Sequence, residues 1–203
     1  MCGITGAIWT DRQRAIDAAL LDRMTDCLTH RGPDDRGTLR SEFRLRPPYE
    51  SQPGVALGQR RLSIIDVAGG RQPIANEDET IWVVFNGEIY NDPDLRRRLE
   101  GSGHVFRTQC DSESIVHLYE DLGPECFSHL NGQFAIAIWD SRERRLVLGR
   151  DRLGQKPLVS RHEPGRRLLF ASELKSLMLA PGVPRDIDLV AVDQFLAYQY
   201  VPH

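Results

Sequence analysis

Met1-Cys2-Gly3-Ile4-Thr5-Gly6 opens the chain, and its reading organises everything after it. A cysteine next to an initiator methionine carries two reactive groups once that methionine is trimmed, and trimming is expected because the second residue is small. A cysteine thiol attacks as the thiolate, with an ordinary pKa of about 8.5. A free α-amine, with a pKa of about 7.7–8.0, is partly neutral near pH 7 and can accept the thiol proton. Nucleophile and general base then share one residue. Gly3 and Gly6 leave room for other backbone to approach that terminus. A cysteine at position 2 can equally be a small packed hydrophobe, so the rest of the chain has to decide.

The 203 residues are 40% hydrophobic with a net charge of −3. That suits one domain, or one domain and the start of another. The arginines are scattered, and the charge balance does not indicate nucleic acid or an anionic membrane as partner. No 18-residue apolar run or signal-peptide core is present. A cytoplasmic protein with reduced thiols is therefore expected. Cys2, Cys27, Cys110 and Cys126 lack zinc spacing, so no structural metal is expected.

Moving outward, Cys2–Trp9 reads as a strand. Ala15–Leu28 reads as an amphipathic helix with Ile16, Leu20, Met24, Cys27 and Leu28 on its core face. Val55–Leu57 and Arg61–Val67 read as short strands. Ile81–Phe85 is a continuous apolar run bounded by Asn86-Gly87, the pattern of a buried strand ending in a tight turn. Asp92-Pro93 and Asp111 give helix-start signals. Phe134–Asp140, Arg145–Gly149 and Arg167–Ala171 read as strands. Ser172 reads as the cap of a short helix, and Asp188–Tyr198 as the beginning of another. Strands and helices come in runs rather than in strict alternation, which predicts an α+β fold with antiparallel sheet.

The motifs MCGITG, RGPD (31–34), RRLSIID (60–66), NGEIYN (86–91), CDSE (110–113), NGQFAIAIWD (131–140), GRDRLGQKPL (149–158) and FASELKSL (170–177) run in order over nearly the whole chain. Together they resemble the class II glutamine amidotransferases, which are N-terminal nucleophile hydrolases. Within these the chain is most similar to the glutaminase domain of glutamine-dependent asparagine synthetases. The resemblance implies a four-layer αββα sandwich of two antiparallel sheets between helices. It implies glutamine hydrolysis to glutamate and ammonia through a Cys2 γ-glutamyl thioester, with ammonia passed to ATP-dependent asparagine synthesis from aspartate. The Asn86 side-chain amide and the Gly87 N–H would form the oxyanion hole. Arg61 would hold the glutamine carboxylate, and backbone of Leu62, Ser63, Ile64 and Ile65 would line the pocket. Glu88 and Asp111 would meet the α-ammonium.

By the same resemblance, residues 1–184 form the glutaminase domain, and 185–203 form a linker and the start of a synthetase domain acting in cis. ATP and Mg²⁺ are expected only in that further domain, with no cofactor and no metal in this segment. L-glutamine is the expected ligand, and the resemblance leaves room for a homodimer. Two alternatives stay open: the same glutaminase chemistry feeding another acceptor, such as an amide in a specialised metabolite or peptide, and a non-catalytic amidotransferase-like binding domain. GRDRLGQK departs from the P-loop pattern because Pro157 follows the lysine, so no nucleotide site is expected here. RGPD and GRDRLGQKPL read as architectural. Gln59 stands where the family often has histidine, and Cys110 where it usually has serine or glycine.

Overall fold

The computed structural model describes residues 1–43, 52–67 and 69–202. Most of the proline-containing region at 42–53 therefore lies outside the described residues. The elements are β1 (Gly3–Trp9), α1 (Ala18–Asp26), β2 (Asp35–Glu42), β3 (Gly54–Arg61), β4 (Ile74–Ala75), β5 (Ile81–Ile89), α2 (Asp92–Gly101) and α3 (Asp111–Leu122). They continue with α4 (Cys126–His129), β6 (Gly132–Asp140), β7 (Arg145–Arg150), β8 (Val159–Glu163), β9 (Arg167–Ala171), α5 (Leu174–Leu177) and α6 (Leu189–Tyr198). One sheet has the order β2-β3-β1-β9-β8 and the other β4-β5-β6-β7, and every pairing is antiparallel.

Strand alternation sorts the apolar residues into three cores, which gives the layering. From β1, Ala7 and Trp9 pack with Leu20, Leu21 and Met24 of α1 and Leu177 of α5. From the opposite face of β1, Ile4 joins Val55, Leu57, Val84, Ala135, Ala137, Trp139 and Phe170 between the sheets. Val83, Phe85, Phe134, Ile136 and Ile138 leave the second sheet on its far side to meet α2 and α3. The result is the expected αββα sandwich. Gly6 is where the first sheet and the inter-sheet core press closest. A Cβ there would lie 2.2 Å from the Ala56 carbonyl oxygen and 2.6 Å from the Phe170 ring.

Several local expectations are corrected. α1 starts at Ala18 because the Asp17 carboxylate accepts from the Leu20 N–H at 2.7 Å. Cys27 is half-buried at the end of this helix rather than in its core, with its thiol 3.2 Å from the Met24 carbonyl. Residues 62–67 are a loop, not a strand, and β3 runs from Gly54 to Arg61. Asn86-Gly87 is not a hairpin turn, since β5 continues through it to Ile89 in register with β6. Asp92 and Asp111 are the first residues of their helices; Asn91 and Cys110 occupy the cap positions. Ser172 caps no helix, because its hydroxyl accepts from the Ile4 N–H at 3.0 Å. β2 and β8 lack a clear hydrophobic alternation signal and come from pairing with β3 and β9.

Candidate active site

Register brings the site together. Gly3 pairs with Arg60, which sets Cys2 beside Arg61 at one end of the first sheet. In the second sheet Glu88 pairs with Gln133, setting Asn86–Glu88 at the matching end. The start of α3 closes the space between them. The resulting pocket encloses about 210 Å³ and is lined by Cys2, Arg61, Leu62, Asn86, Glu88 and Asp111 among others. That is below the ~300–1,000 Å³ of drug-sized pockets and suits a small ligand.

The Cys2 sulfur accepts from the Leu62 backbone N–H at 3.5 Å. Its carbonyl accepts from Arg31 Nε at 2.9 Å, and Arg31 Nη1 is held 3.0 Å from Glu173 Oε1. RGPD and FASELKSL therefore meet behind the chain terminus and fix it. Burial raises the Glu173 pKa, but hydrogen bonds from Arg31, His30 and Lys175 outweigh it and bring the carboxyl down to about 2. Asp34 of RGPD holds the far side of the site, where its carboxylate accepts from the Ser63 N–H at 2.8 Å. Met1 stands at the pocket with 58% of its surface exposed, and its peptide bond ties up the Cys2 nitrogen.

Asn86 is 1% exposed, lines the pocket, and its Nδ2 has no hydrogen-bond partner among the described residues. A buried amide N–H without a partner is costly, and a hydrogen-bond acceptor placed in the pocket would relieve that cost. Gly87 must lack a side chain here: a Cβ would lie 2.1 Å from the Gln133 carbonyl oxygen. The Ser112 hydroxyl also lines the pocket without a partner among the described residues.

Asp111 sits 8% exposed at the pocket wall, with Oδ2 accepting from the Ile89 N–H at 2.9 Å. Burial, with Asp92 and Glu88 nearby, pushes its carboxyl up to about 6, although the Ile89 N–H opposes this. A carboxylate held this dry gains much from an incoming cation.

Arg61 is placed differently from a free clamp. Its Nη2 donates to the Ile65 carbonyl at 2.7 Å and the Asp66 carbonyl at 2.8 Å, so it also holds the 62–67 loop. Leu62, Ile64 and Ile65 line the pocket; Ser63 does not, being turned to Asp34. Cys110 is in the wall as a thiol. It donates to the Ile65 carbonyl at 3.3 Å, and burial pushes its pKa up to about 11.

Among the lining residues that sequence reasoning did not assign to the site are Gln72, Phe85, Ser112, Gln133 and Lys156. The last three lie inside the motifs CDSE, NGQFAIAIWD and GRDRLGQKPL, which was the available signal. GRDRLGQKPL is architectural in one respect. Asp151 accepts from the N–H groups of Phe134, Gln155 and Lys156 at 2.8–3.2 Å. That loop in turn delivers Lys156 to the pocket.

Comparison with known proteins finds relatives over most of the chain. Asparagine synthetase [glutamine-hydrolyzing] 3 of Bacillus subtilis (strain 168) is 37% identical over 196 residues, covering 96% of this chain and 30% of the relative. Asparagine synthetase B [glutamine-hydrolyzing] of Escherichia coli (strain K12) is 38% identical over 184 residues, covering 88% of this chain and 30% of the relative. The chain thus spans about a third of the length of these relatives. Among solved structures, the glutamine phosphoribosylpyrophosphate amidotransferase from B. subtilis complexed with ADP and GMP superposes with a TM-score of 0.66 at 20% identity. It covers 88% of this chain and 43% of its own, and supports the fold. The whole of residues 1–203 matches the glutamine amidotransferase domain, and the chain belongs to that family.

Proposed function

We propose that this chain is a glutaminase that hydrolyses L-glutamine to glutamate and ammonia with Cys2 as nucleophile. The single observation that carries the reading is the Cys2 thiol sharing a small pocket with the unpartnered Asn86 amide. Removal of Met1 frees the Cys2 α-amine. That amine takes the thiol proton, and the thiolate attacks the glutamine carboxamide carbon. The oxyanion is met by Asn86 Nδ2 and the Gly87 N–H. The amine then returns the proton to departing ammonia, leaving a γ-glutamyl thioester that water hydrolyses to glutamate and the free thiol.

The substrate's charged end fits the other wall. Asp111, with Glu88, receives the α-ammonium. Arg61 offers its charge to the α-carboxylate while its Nη2 keeps the 62–67 loop in place, and backbone of Leu62, Ile64 and Ile65 completes the contact. Lys156 adds a cation to the lining.

The ammonia is proposed to serve ATP-dependent asparagine synthesis from aspartate in a further domain in cis, which would supply the ATP and Mg²⁺ sites. The names of the relatives and the share of their length that this chain spans support this. So does α6, which leaves Leu189, Val190, Phe195 and Leu196 at least half exposed, an apolar surface suited to docking further polypeptide. A thiol nucleophile needs reducing surroundings, which fits a cytoplasmic setting. No helix among the described residues is long and apolar enough to cross a membrane.

The test is intact-mass analysis of the purified protein with 6-diazo-5-oxo-norleucine. Loss of Met1 with one adduct on Cys2, and no glutamate release by Cys2→Ala, is expected. Retained Met1 in active protein, or unchanged hydrolysis by Cys2→Ala, would overturn the proposal.

A further inference from the structure

Away from the pocket, four side chains from separate parts of the chain converge. Glu77 lies in the β4–β5 turn, His104 follows α2, and His117 and Glu120 lie three apart on one face of α3. Each offers one ligand-type atom, and these atoms lie within 4.8 Å of one another. His117 Nδ1 is 3.4 Å from Glu77 Oε2, and His104 Nδ1 is 3.9 Å from Glu120 Oε2. Four ligands at about 2.0–2.2 Å from a tetrahedral ion stand roughly 3.3–3.6 Å apart. Small side-chain adjustments would complete that geometry.

The cluster is unexplained as it stands. His117 is 1% exposed, yet neither ring nitrogen has a hydrogen-bond partner among the described residues. Glu120 Oε2 is likewise buried and unpartnered among them. The outer edges of Glu77, Glu120 and His104 are hydrogen-bonded, whereas that of His117 only faces a carboxylate. Glu77 Oε1 accepts from the Val105 N–H at 2.8 Å, and Glu120 Oε1 from Asn76 Nδ2 at 3.1 Å. His104 Nε2 meets Asp121 Oδ1 at 3.1 Å, and His117 Nε2 faces Glu113 Oε1 at 3.9 Å. Each imidazole thus has a carboxylate behind it and its Nδ1 turned inward, the order that orients metal-bound histidines. Glu77, Glu113, Glu120 and Asp121 bring four carboxylates, and Arg142, 3.7 Å from Glu120 Oε1, offsets part of that charge. A divalent cation at the centre would offset more of it.

We infer that Glu77, His104, His117 and Glu120 bind one divalent transition-metal ion, for which zinc is the best chemical match. Two imidazole nitrogens and two carboxylate oxygens suit zinc's four-coordinate preference. All four positions are filled by protein, so the ion is structural. It ties the β4–β5 turn and the segment after α2 to α3, whose first residue is Asp111, six residues or about 9 Å of helix from His117. This revises the expectation of no structural metal, which rested on cysteine spacing.

The test uses purified protein carrying Cys2→Ala, because the Cys2 thiolate is a competing zinc ligand. Chelator-stripped protein is titrated with zinc sulfate, and bound zinc and melting temperature are read together. His104→Asn and Glu77→Gln alter partly exposed ligands, so the fold is retained, with circular dichroism as the check. One zinc per chain is expected, with a rise in melting temperature that both variants lose and binding weakened more than the ~10–100-fold typical of losing a mere outer-shell partner. Cobalt should give the visible spectrum of a tetrahedral site. Substoichiometric zinc, or binding unchanged by both substitutions, would overturn the site and leave a histidine–carboxylate network.

Discussion

Arg31 Nε donates to the Cys2 carbonyl at 2.9 Å, across 29 positions of sequence. Cys2 directly precedes β1, outside its strand pairing. This bond, with Arg31 Nη1 held 3.0 Å from Glu173 Oε1, anchors Cys2. Arg31→Ala should therefore lower kcat for glutamate release about 10–100-fold, the scale of a misplaced reacting group, while KM moves little. Arg31→Lys should recover only part, since it cannot reach both oxygens in a fixed fork. Steady-state kinetics with circular dichroism as a folding control reads this.

Asn86→Ala removes one oxyanion donor and leaves Gly87. The expected loss is about 10²–10³ in kcat with a small change in KM. A larger effect on KM than on kcat would mean that Asn86 binds ground-state glutamine instead.

Asp111 links pH to both binding and stability. Its folded pKa of about 6 lies above the ordinary 3.8, so its contribution to stability is fully present below pH 3.8 and is lost as pH rises through 6. Asp111→Asn should melt higher than the parent at pH 8, with the gap closing towards pH 4. The same substitution should cripple glutamine use. In the parent, kcat/KM for glutamine should fall as pH drops below about 6, because the protonated carboxyl no longer pairs with the α-ammonium.

Glu173 runs the other way. Its folded pKa of about 2 lies below the ordinary 4.5, so its stabilisation is present above 4.5 and lost as pH falls towards 2. Glu173→Gln should melt lower than the parent at pH 7, and the two should converge in acid. Thermal melts across that range provide the check.

Cys110 offers a check on thiol selectivity. With its pKa pushed up to about 11, it should resist iodoacetamide at pH 7.5 while Cys2 is alkylated, as peptide mass mapping would show. Cys110→Ser should retain glutaminase activity within a few-fold.

The information legible along the chain was local and repetitive. Apolar-rich runs in GITGAIW, IWVVF and FAIAIWD marked three central strands, and ordered motifs pointed to the chemistry expected around Cys2, Asn86 and Asp111. Hydrophobic pattern is written residue by residue, so it survives without knowledge of the fold. The functions of groups whose partners are remote emerged only on folding. Asn86-Gly87 reads as a turn until β6 pairs through it, Asp111 reads as a cap until Ile89 supplies its N–H, and Arg61 reads as a free clamp until the 62–67 loop folds over it. β2 and β8 have weak patterns of their own and exist because a neighbouring strand offers unpaired backbone. Glu77, His104, His117 and Glu120 carry no common spacing, since their meeting point is set by how a turn and a loop pack against α3. Local sequence encodes periodicity; hydrogen-bond partners separated by tens of residues are fixed only when the sheets and helices close on one another.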